Sequence, residues 1–467
     1  LKEYSPTKTI VEPSREIKVC READVVVVGG GPGGFAAAVT AARAGADTVL
    51  IERYGHLGGM ATGGLVNIIP HLSDVSGKQQ IAGLCQEVID RLDVRDAVSY
   101  PKKEDWGSTD KRLVDYYLDA NLRNFYVRRD LSIDQDRVLY TALVDPEILK
   151  DELNSMVAEA GVKLYLHSWG TRPIMDGDTA RGIFFESKSG RQAVLAKIVI
   201  DSTGDGDLLP YAGAEFDSTL DPKSRIAHLA QAYWLDNVDV KRFDEFKASQ
   251  PEKHAELMRE LTDLGGFTNY FKDLLRNHGN VMWGHPHIPC TNQADVEELT
   301  RVDVSSRKRV GITYEFLKKH VPGFEKSFIM HTCPQLGTTG GRRVIGEYVL
   351  TEKDVVESDE VFEDTVAVFA RPDTSLKQTC CIPYRCLVPR KVEGLLVACR
   401  AYSSEHTVNN RFNLIPHCIS LGQAAGTAAA LAIQNGVSVR SINYGVLHDR
   451  LIAQGVLLPP RQKKVCR

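Results

Sequence analysis

Val25-Val26-Val27-Val28-Gly29-Gly30-Gly31-Pro32-Gly33-Gly34 is an apolar run that breaks abruptly into glycine. Four valines in succession suit a strand buried on both faces of a parallel sheet. Gly29 permits the sharp turn that follows, Gly31 lets a backbone approach a diphosphate with no side chain between, and Gly34 lets the next helix pack close to the strand. That helix is expected from Gly33 to Ala44, with Ala36, Ala37, Ala38, Ala41 and Ala42 aiding close packing and Gly45 ending it. Its N-terminus offers unpaired N–H groups and a partial positive charge to phosphate. Thr48 to Ile51 reads as the second strand. Glu52 at its tip, eighteen residues after Gly34, can accept both hydrogen bonds from an adenosine ribose. Strand, turn, helix and acid agree in spacing, so a bound dinucleotide is expected.

The 467 residues allow two to four domains of ordinary size. Lysine plus arginine (57) nearly balances aspartate plus glutamate (61), so neither nucleic acid nor a charged membrane surface is favoured as a partner. No apolar run reaches transmembrane length and no signal-peptide core stands at the start, which points to a cytoplasmic protein. The ten cysteines lack framework spacing and read as free thiols. A small-molecule substrate remains the expected partner, with a homo-oligomer left open.

Residues 1–22 read as a polar arm. Residues 23–213 and 381–467 read as a discontinuous nucleotide-binding domain with a helical insertion at about 78–130, and residues 214–380 as an inserted α+β substrate domain. Asp145, Pro146 and Gly161 punctuate a helix with Leu149, Leu153, Met156 and Val157 on its apolar face. Strands are expected near 162–166, 182–186 and 193–200, the last running into Asp201-Ser202-Thr203-Gly204-Asp205-Gly206-Asp207. A long helix is expected from Pro416 to Asn435.

These motifs resemble the FAD-dependent oxidoreductases of the glutathione-reductase-like superfamily, related in plan to the flavoprotein subunit of fumarate reductase and succinate dehydrogenase. The matching stretches are 24–53, 57–66, 198–213, 334–354 and 382–432. The resemblance implies an α/β, Rossmann-like FAD-binding domain and an enzyme that transfers a hydride between a small organic substrate and flavin N5. It implies that Gly29, Gly31, Pro32, Gly33, Gly34, Glu52 and Arg53 hold the nucleotide. Gly58, Gly59 and Met60 would run beneath the flavin ring, and Thr203, Gly204 and Asp205 would form a second contact. Gly170, Arg400 and Asn413 join the implied cofactor contacts. The final helix, with Gly422 and Gly426 on its small-residue face, would aim its positive end at the pyrimidine edge of the ring.

His406 and Arg411 flank the passage into that helix and are the candidate catalytic pair, one for proton transfer and one for orienting a substrate carboxylate. A flavin monooxygenase and a non-catalytic or electron-carrying flavoprotein are the alternatives. No second Gly-x-Gly-x-x-Gly follows a strand, so a separate NAD(P)H domain is not expected. The loop after Glu52 has no cysteine pair, against disulfide-reductase chemistry. His56 in that loop reads as a polar lining residue rather than a covalent flavin link. His285, His287, Cys290 and His331 are spaced poorly for one ion, and no metal is expected. Two departures from the family pattern are notable. Thr339-Gly340-Gly341 precedes Arg342 and Arg343, which are expected on a loop entering a helix through Leu350. Cys399 stands where a glycine usually precedes Arg400.

Overall fold

Valine side chains sort the protein into two layers. In the computed structural model, which describes residues 9–119, 126–130, 133–268, 270–272, 279–356, 361–370 and 379–461, Val25 and Val27 enter one core and Val26 and Val28 the other. All four are buried, as a strand covered on both faces requires.

The elements that build this region are β1 (Lys18–Val28), α1 (Pro32–Arg43), β2 (Thr48–Ile51), α2 (Pro146–Glu159), β3 (Lys163–Tyr165), β4 (Trp169–Asp176), β5 (Thr179–Ser187), β6 (Gly190–Asp201), β7 (Leu395–Val397) and α3 (Ile415–Asn435). They form a seven-stranded sheet ordered β3-β2-β1-β6-β5-β4, with β7 also on β6. The β1–β2, β2–β3, β1–β6 and β6–β7 pairs are parallel, and β4, β5 and β6 form an antiparallel meander. The first half of β6 carries β5 and its last residues carry β7. This is the α/β architecture expected.

Local chemistry accounts for the helices. The Asp145 carboxylate accepts from the N–H groups of Glu147 (2.8 Å) and Ile148 (3.2 Å), capping α2 behind Pro146. Along α3, Gly422 and Gly426 lie on the backbone of α1. A Cβ at Gly422 would overlap the carbonyl oxygen of Gly33, and one at Gly426 the carbonyl oxygen of Ala37. The two helices therefore approach at a distance only glycine permits.

The inserted segment has its own core, built from Leu229, Tyr233, Leu235, Phe243, Leu261, Val310 and Phe316 among others. Short strands His228–Ala230 and His287–Pro289 pair there, and the 25-residue helix Val296–His320 packs on the same core. The charged stretch after Val238 folds as two helices, Val240–Ser249 and Pro251–Asp263. Leu350, Val355, Val366 and Phe369 pack into the first core instead, so the packing seam falls well before residue 381.

The helix expected from Arg343 through Leu350 does not form. Arg343–Val344 pairs with Phe216–Asp217 as a two-stranded ribbon. Buried Arg343 donates to Asp217 Oδ2 (2.6 Å) and the Thr219 carbonyl (2.8 Å), which ties this backbone to the neighbouring strand. No helix of the described residues is long and apolar enough to cross a membrane.

Candidate functional site

Strand register brings four distant segments together. Val28 lies opposite Ile51 on one side and Asp201 on the other, and Asp201 lies opposite Val397. The residues that follow, Gly29, Glu52, Ser202 and Ala398, therefore leave the sheet at one common edge. A cleft opens there. It is lined by Gly29, Gly31, Pro32 and Gly33 from the first turn, and by Glu52, Arg53, Tyr54, Gly59 and Met60 from the chain after β2. Trp169, Gly170, Thr203, Gly204, Asp207, Gln335, Cys399, Arg400 and Cys418 complete it.

The turn has the required geometry. Gly29 takes φ +96°, and a Cβ there would strike the Ser202 carbonyl. A Cβ at Gly34 would overlap the carbonyl oxygen of Gly29, so α1 sits directly on the turn. At Gly31 nothing lies within 4 Å of that position, leaving the backbone bare to the cleft at the N-terminus of α1. Gln335 Oε1 and Arg400 Nε, on two residues of the lining, are buried without a hydrogen-bond partner. A bare backbone, a helix N-terminus and unmet polar atoms together fit a dinucleotide.

Glu52 is buried and holds the turn in shape. Oε2 accepts from Gly30 N (2.6 Å) and Oε1 from Tyr54 N (2.7 Å). Burial raises its pKa, while those two N–H groups and the Arg53 charge pull the other way. Arg53 stacks over Tyr54 (4.9 Å) and Trp169 (5.0 Å) at the cleft. His56 stacks on Tyr54 instead and does not line the cleft.

The loop after β6 is braced from within. Asp201 accepts from Thr203 N (3.0 Å), Thr203 Oγ1 (2.8 Å) and Leu208 N (3.1 Å). Arg400 Nη2 donates to Asp205 Oδ1 (2.7 Å) and to Thr338 Oγ1, so the acid of this loop is neutralised from the side of β7. Asp207 lines the cleft with a pKa pushed up to about 6 by burial and the charges of Asp205 and Asp201.

Not every expected residue reaches the cleft. Gly58 takes φ +93° and donates its N–H to the Gly30 carbonyl (2.9 Å), supporting the turn from behind. Gly422 and Gly426 serve the α1–α3 contact. Asn413 donates to the Thr339 carbonyl (2.6 Å) and accepts from Arg225. His406 and Arg411 share one element. They start and end the short helix His406–Arg411, neither lines the cleft, and Arg411 pairs with Glu352 at 3.3 Å. That ion pair joins the guanidinium to the helix Glu352–Val356.

Beyond the Arg400 end of the cleft lies a group of basic side chains around Arg225. Thr338 accepts from Arg400, and the adjacent Thr339 hydroxyl donates to the carbonyls of Arg225 (3.0 Å) and His228 (2.6 Å). Arg225 Nη2 donates to the Asn410 carbonyl (2.8 Å). His417, in the first turn of α3, is fully buried; its Nδ1 accepts from Leu414 N (3.3 Å). Burial and the charge of Arg225 hold His417 down at about 3. Burial, His287 and Arg225 bring His285 to about 3, and burial, Arg225 and His228 bring His287 to about 4. His71 is driven down by burial and by Arg128, His417 and Arg225. Arg225, His71 and His417 carried no local sequence signal, and only the inserted segment's fold brings His285 and His287 to them.

A sequence profile described as FAD dependent oxidoreductase matches residues 24–451. The chain belongs to the FAD dependent oxidoreductase family. Its dinucleotide is therefore FAD, and the β1–α1–β2 unit with its parallel sheet is a Rossmann-like FAD-binding fold. Among curated relatives of this FAD dependent oxidoreductase, digeranylgeranylglycerophospholipid reductase 2 of Methanopyrus kandleri is 30% identical over 183 residues, 39% of this chain and 38% of that protein. The match thus spans well under half of either chain. Among solved structures, a geranylgeranyl bacteriochlorophyll reductase-like protein from Thermoplasma acidophilum is 16% identical, covering 93% of this chain and 84% of that one with a TM-score of 0.46. The p-nitrophenol 4-monooxygenase of Pseudomonas putida is 13% identical, covering 92% and 84% with a TM-score of 0.45. Nothing about substrate follows from likenesses of that size.

Proposed function

We propose that this FAD dependent oxidoreductase exchanges a hydride between a small organic substrate and flavin N5, on the plan of the fumarate reductase flavoprotein within the glutathione-reductase-like superfamily. The observation that carries the reading is the bare Gly31 backbone at the N-terminus of α1, opening onto a cleft that runs to Arg400 and Cys418. FAD bound there supplies a ring that takes or gives two electrons as hydride.

This chain's residues do the rest. The N–H groups at the start of α1 receive the diphosphate over Gly31. Each Glu52 oxygen, already holding one backbone N–H, keeps a lone pair for a ribose hydroxyl. Arg53, Trp169 and Gly170 flank the adenosine end, and Thr203 and Gly204 follow the chain of the nucleotide. Arg400 cancels the Asp205 charge that would otherwise repel phosphate. Gly59 and Met60 form one wall of the ring end. The N-terminal end of α3 would set its partial positive charge beside the ring of a bound FAD. A group that takes the substrate proton as hydride leaves would complete the site, and His406 and Arg411 remain the candidates for proton transfer and for orienting the substrate.

Anaerobic exposure of the purified flavoprotein to a metabolite library tests this reading. Bleaching of the visible flavin band by an organic compound is the expected result. Reduction only by NADPH followed by oxygen consumption would make the protein a monooxygenase. A flavin that no small molecule reduces or reoxidises, but that a partner protein oxidises rapidly, would make it an electron carrier.

A further inference from the structure

Among the described residues that line the FAD cleft, Gln335 is the one drawn from the inserted segment. Every other lining residue lies within 28–60, 168–207 or 399–418. Its place is fixed from two sides. The Gln335 N–H donates to the Gly63 carbonyl (3.1 Å), on the glycine loop that also carries Gly59 and Met60. Two residues earlier, Cys333 N donates to the Ala232 carbonyl (2.8 Å), and the Cys333 carbonyl accepts from Gln231 (3.2 Å) and Arg307 (3.1 Å). Trp283 Nε1 donates to the Leu65 carbonyl (2.9 Å), a second stitch between the inserted segment and that loop.

The side chain, by contrast, is unsatisfied. Gln335 Oε1 is sealed from solvent and has no hydrogen-bond partner. A Cβ on Gly63 would stand 3.1 Å from that oxygen, so a glycine at 63 gives the carboxamide room against the loop. A Cβ on Gly64 would strike Met60. The two glycines thus seat Gln335 and Met60 on one turn of chain. The His56 ring also edges onto Gly63 but leaves Oε1 unbonded. Buried amide oxygens are nearly always hydrogen-bonded, and an unmet one in the wall of a cofactor cleft calls for a donor on the cofactor.

We propose that Gln335 holds the flavin ring by its polar edge, the carboxamide hydrogen-bonding the imide of the pyrimidine half. The inference rests on the reading above in one respect, that the Gly59–Met60 wall faces the ring. It does not depend on which substrate exchanges the hydride. A carboxamide carries one acceptor and two donors, and the pyrimidine edge of a flavin presents an N–H between two carbonyls. Oε1 takes that N–H while Nε2 donates to a carbonyl. The pyrimidine half gains negative charge when the ring is reduced, and the bond from Nε2 strengthens with it. The contact therefore favours the reduced state. Because the inserted segment supplies it, seating of that segment and binding of the ring reinforce each other.

The test compares FAD-loaded wild type, Gln335→Leu and Gln335→Glu. It reads the visible flavin band, the Kd for FAD, and the two-electron reduction equilibrium against a reference dye during slow anaerobic reduction. Gln335→Leu is expected to shift the band and to move the dye equilibrium about tenfold toward oxidised flavin, about 30 mV for two electrons. Gln335→Glu keeps the length and an acceptor but sets a carboxylate beside the charged, reduced ring. A shift in the same direction, at least as large, is expected for it at about pH 8. A wild-type band and dye equilibrium in Gln335→Leu would overturn the contact. A weaker Kd with an unchanged equilibrium would put Gln335 against the ribityl or adenosine part and overturn the ring contact. If Gln335→Leu retains no FAD, the Gln335→Glu equilibrium decides, and a wild-type value there refutes the proposal. Wild type that takes up no FAD refutes the cofactor and this contact with it. Failure of every organic compound to reduce the flavin refutes the hydride reading alone, since the dye equilibrium needs no substrate.

Discussion

Replacing Gly31 with alanine adds one methyl group at a place where the FAD-free protein has nothing within 4 Å. The backbone there, φ −66° and ψ −174°, suits alanine as well as glycine. The FAD-free fold is therefore expected to tolerate Gly31→Ala, or to gain about 0.4–1 kcal/mol from a less free unfolded chain. FAD binding is where the methyl is felt, because it occupies the approach of the diphosphate. A loss of at least about 1.4 kcal/mol, tenfold in Kd, is expected. Gly34→Ala is the counter-case. Its Cβ overlaps the Gly29 carbonyl, so about 1–3 kcal/mol or more of folding stability is lost through overpacking before any ligand is considered. Urea unfolding of the FAD-free proteins, paired with FAD titration by fluorescence quenching, separates the two effects. Gly31→Ala binding FAD with wild-type affinity would refute the path of the diphosphate drawn here.

Arg400→Leu strands the Asp205 carboxylate beside the cleft and is expected to cost about 3–5 kcal/mol of FAD-free stability. Adding Asp205→Asn should recover most of that in the same urea assay, and no recovery would deny the pairing. Asp207 rises from an ordinary 3.8 to about 6, so the folded protein holds its proton more tightly than the unfolded chain. The stability this contributes is complete below pH 3.8 and is lost as pH climbs through about 6. Asp207→Asn escapes that loss. Its stability relative to wild type should rise as pH climbs from about 4 to about 8, in a measure reduced by solvent screening of the part-exposed carboxylate and by loss of its 3.3 Å ion pair with Arg342, and a pH-independent difference would contradict the assignment. His406→Ala should slow substrate-driven flavin reduction about a hundredfold in stopped flow. A rate within about twofold of wild type would remove His406 from the reacting atoms.

The nucleotide end of the site was legible because its determinants are local. Val25 to Gly34 form strand, turn and helix within a few residues, and Glu52 belongs to the next strand. Register then does what spacing alone cannot, setting Val28, Ile51, Asp201 and Val397 in one row. Asp205 and Arg400 were each recognisable as cofactor-domain residues, but their pairing joins segments 195 positions apart and no local pattern encodes it. The ring end was the least legible. His406 and Arg411 stand close to α3 in sequence, and the structure sets them on a short helix outside the lining of the nucleotide cleft. His285 and His287 stood out only as a poor metal pair. Their relation to Arg225 and His417 depends on how the inserted segment meets α3, which is tertiary packing throughout. The helix expected after Arg343 failed for the same reason, since a buried arginine bound to Asp217 outweighed local propensity.

The glycine seam between α1 and α3 bears on biosynthesis. Gly33 and Gly422 touch through their backbones although the chain makes nearly its whole course between them. While the ribosome is still translating the middle of the message, the first turn and its helix have emerged, yet the surface that must cover that helix does not exist. The wall of the cleft that carries Cys418 forms only once α3 has been made and has docked. Until then the alanine-rich face of α1 lies open to water and to chaperones, and the cleft lacks the wall that α3 supplies.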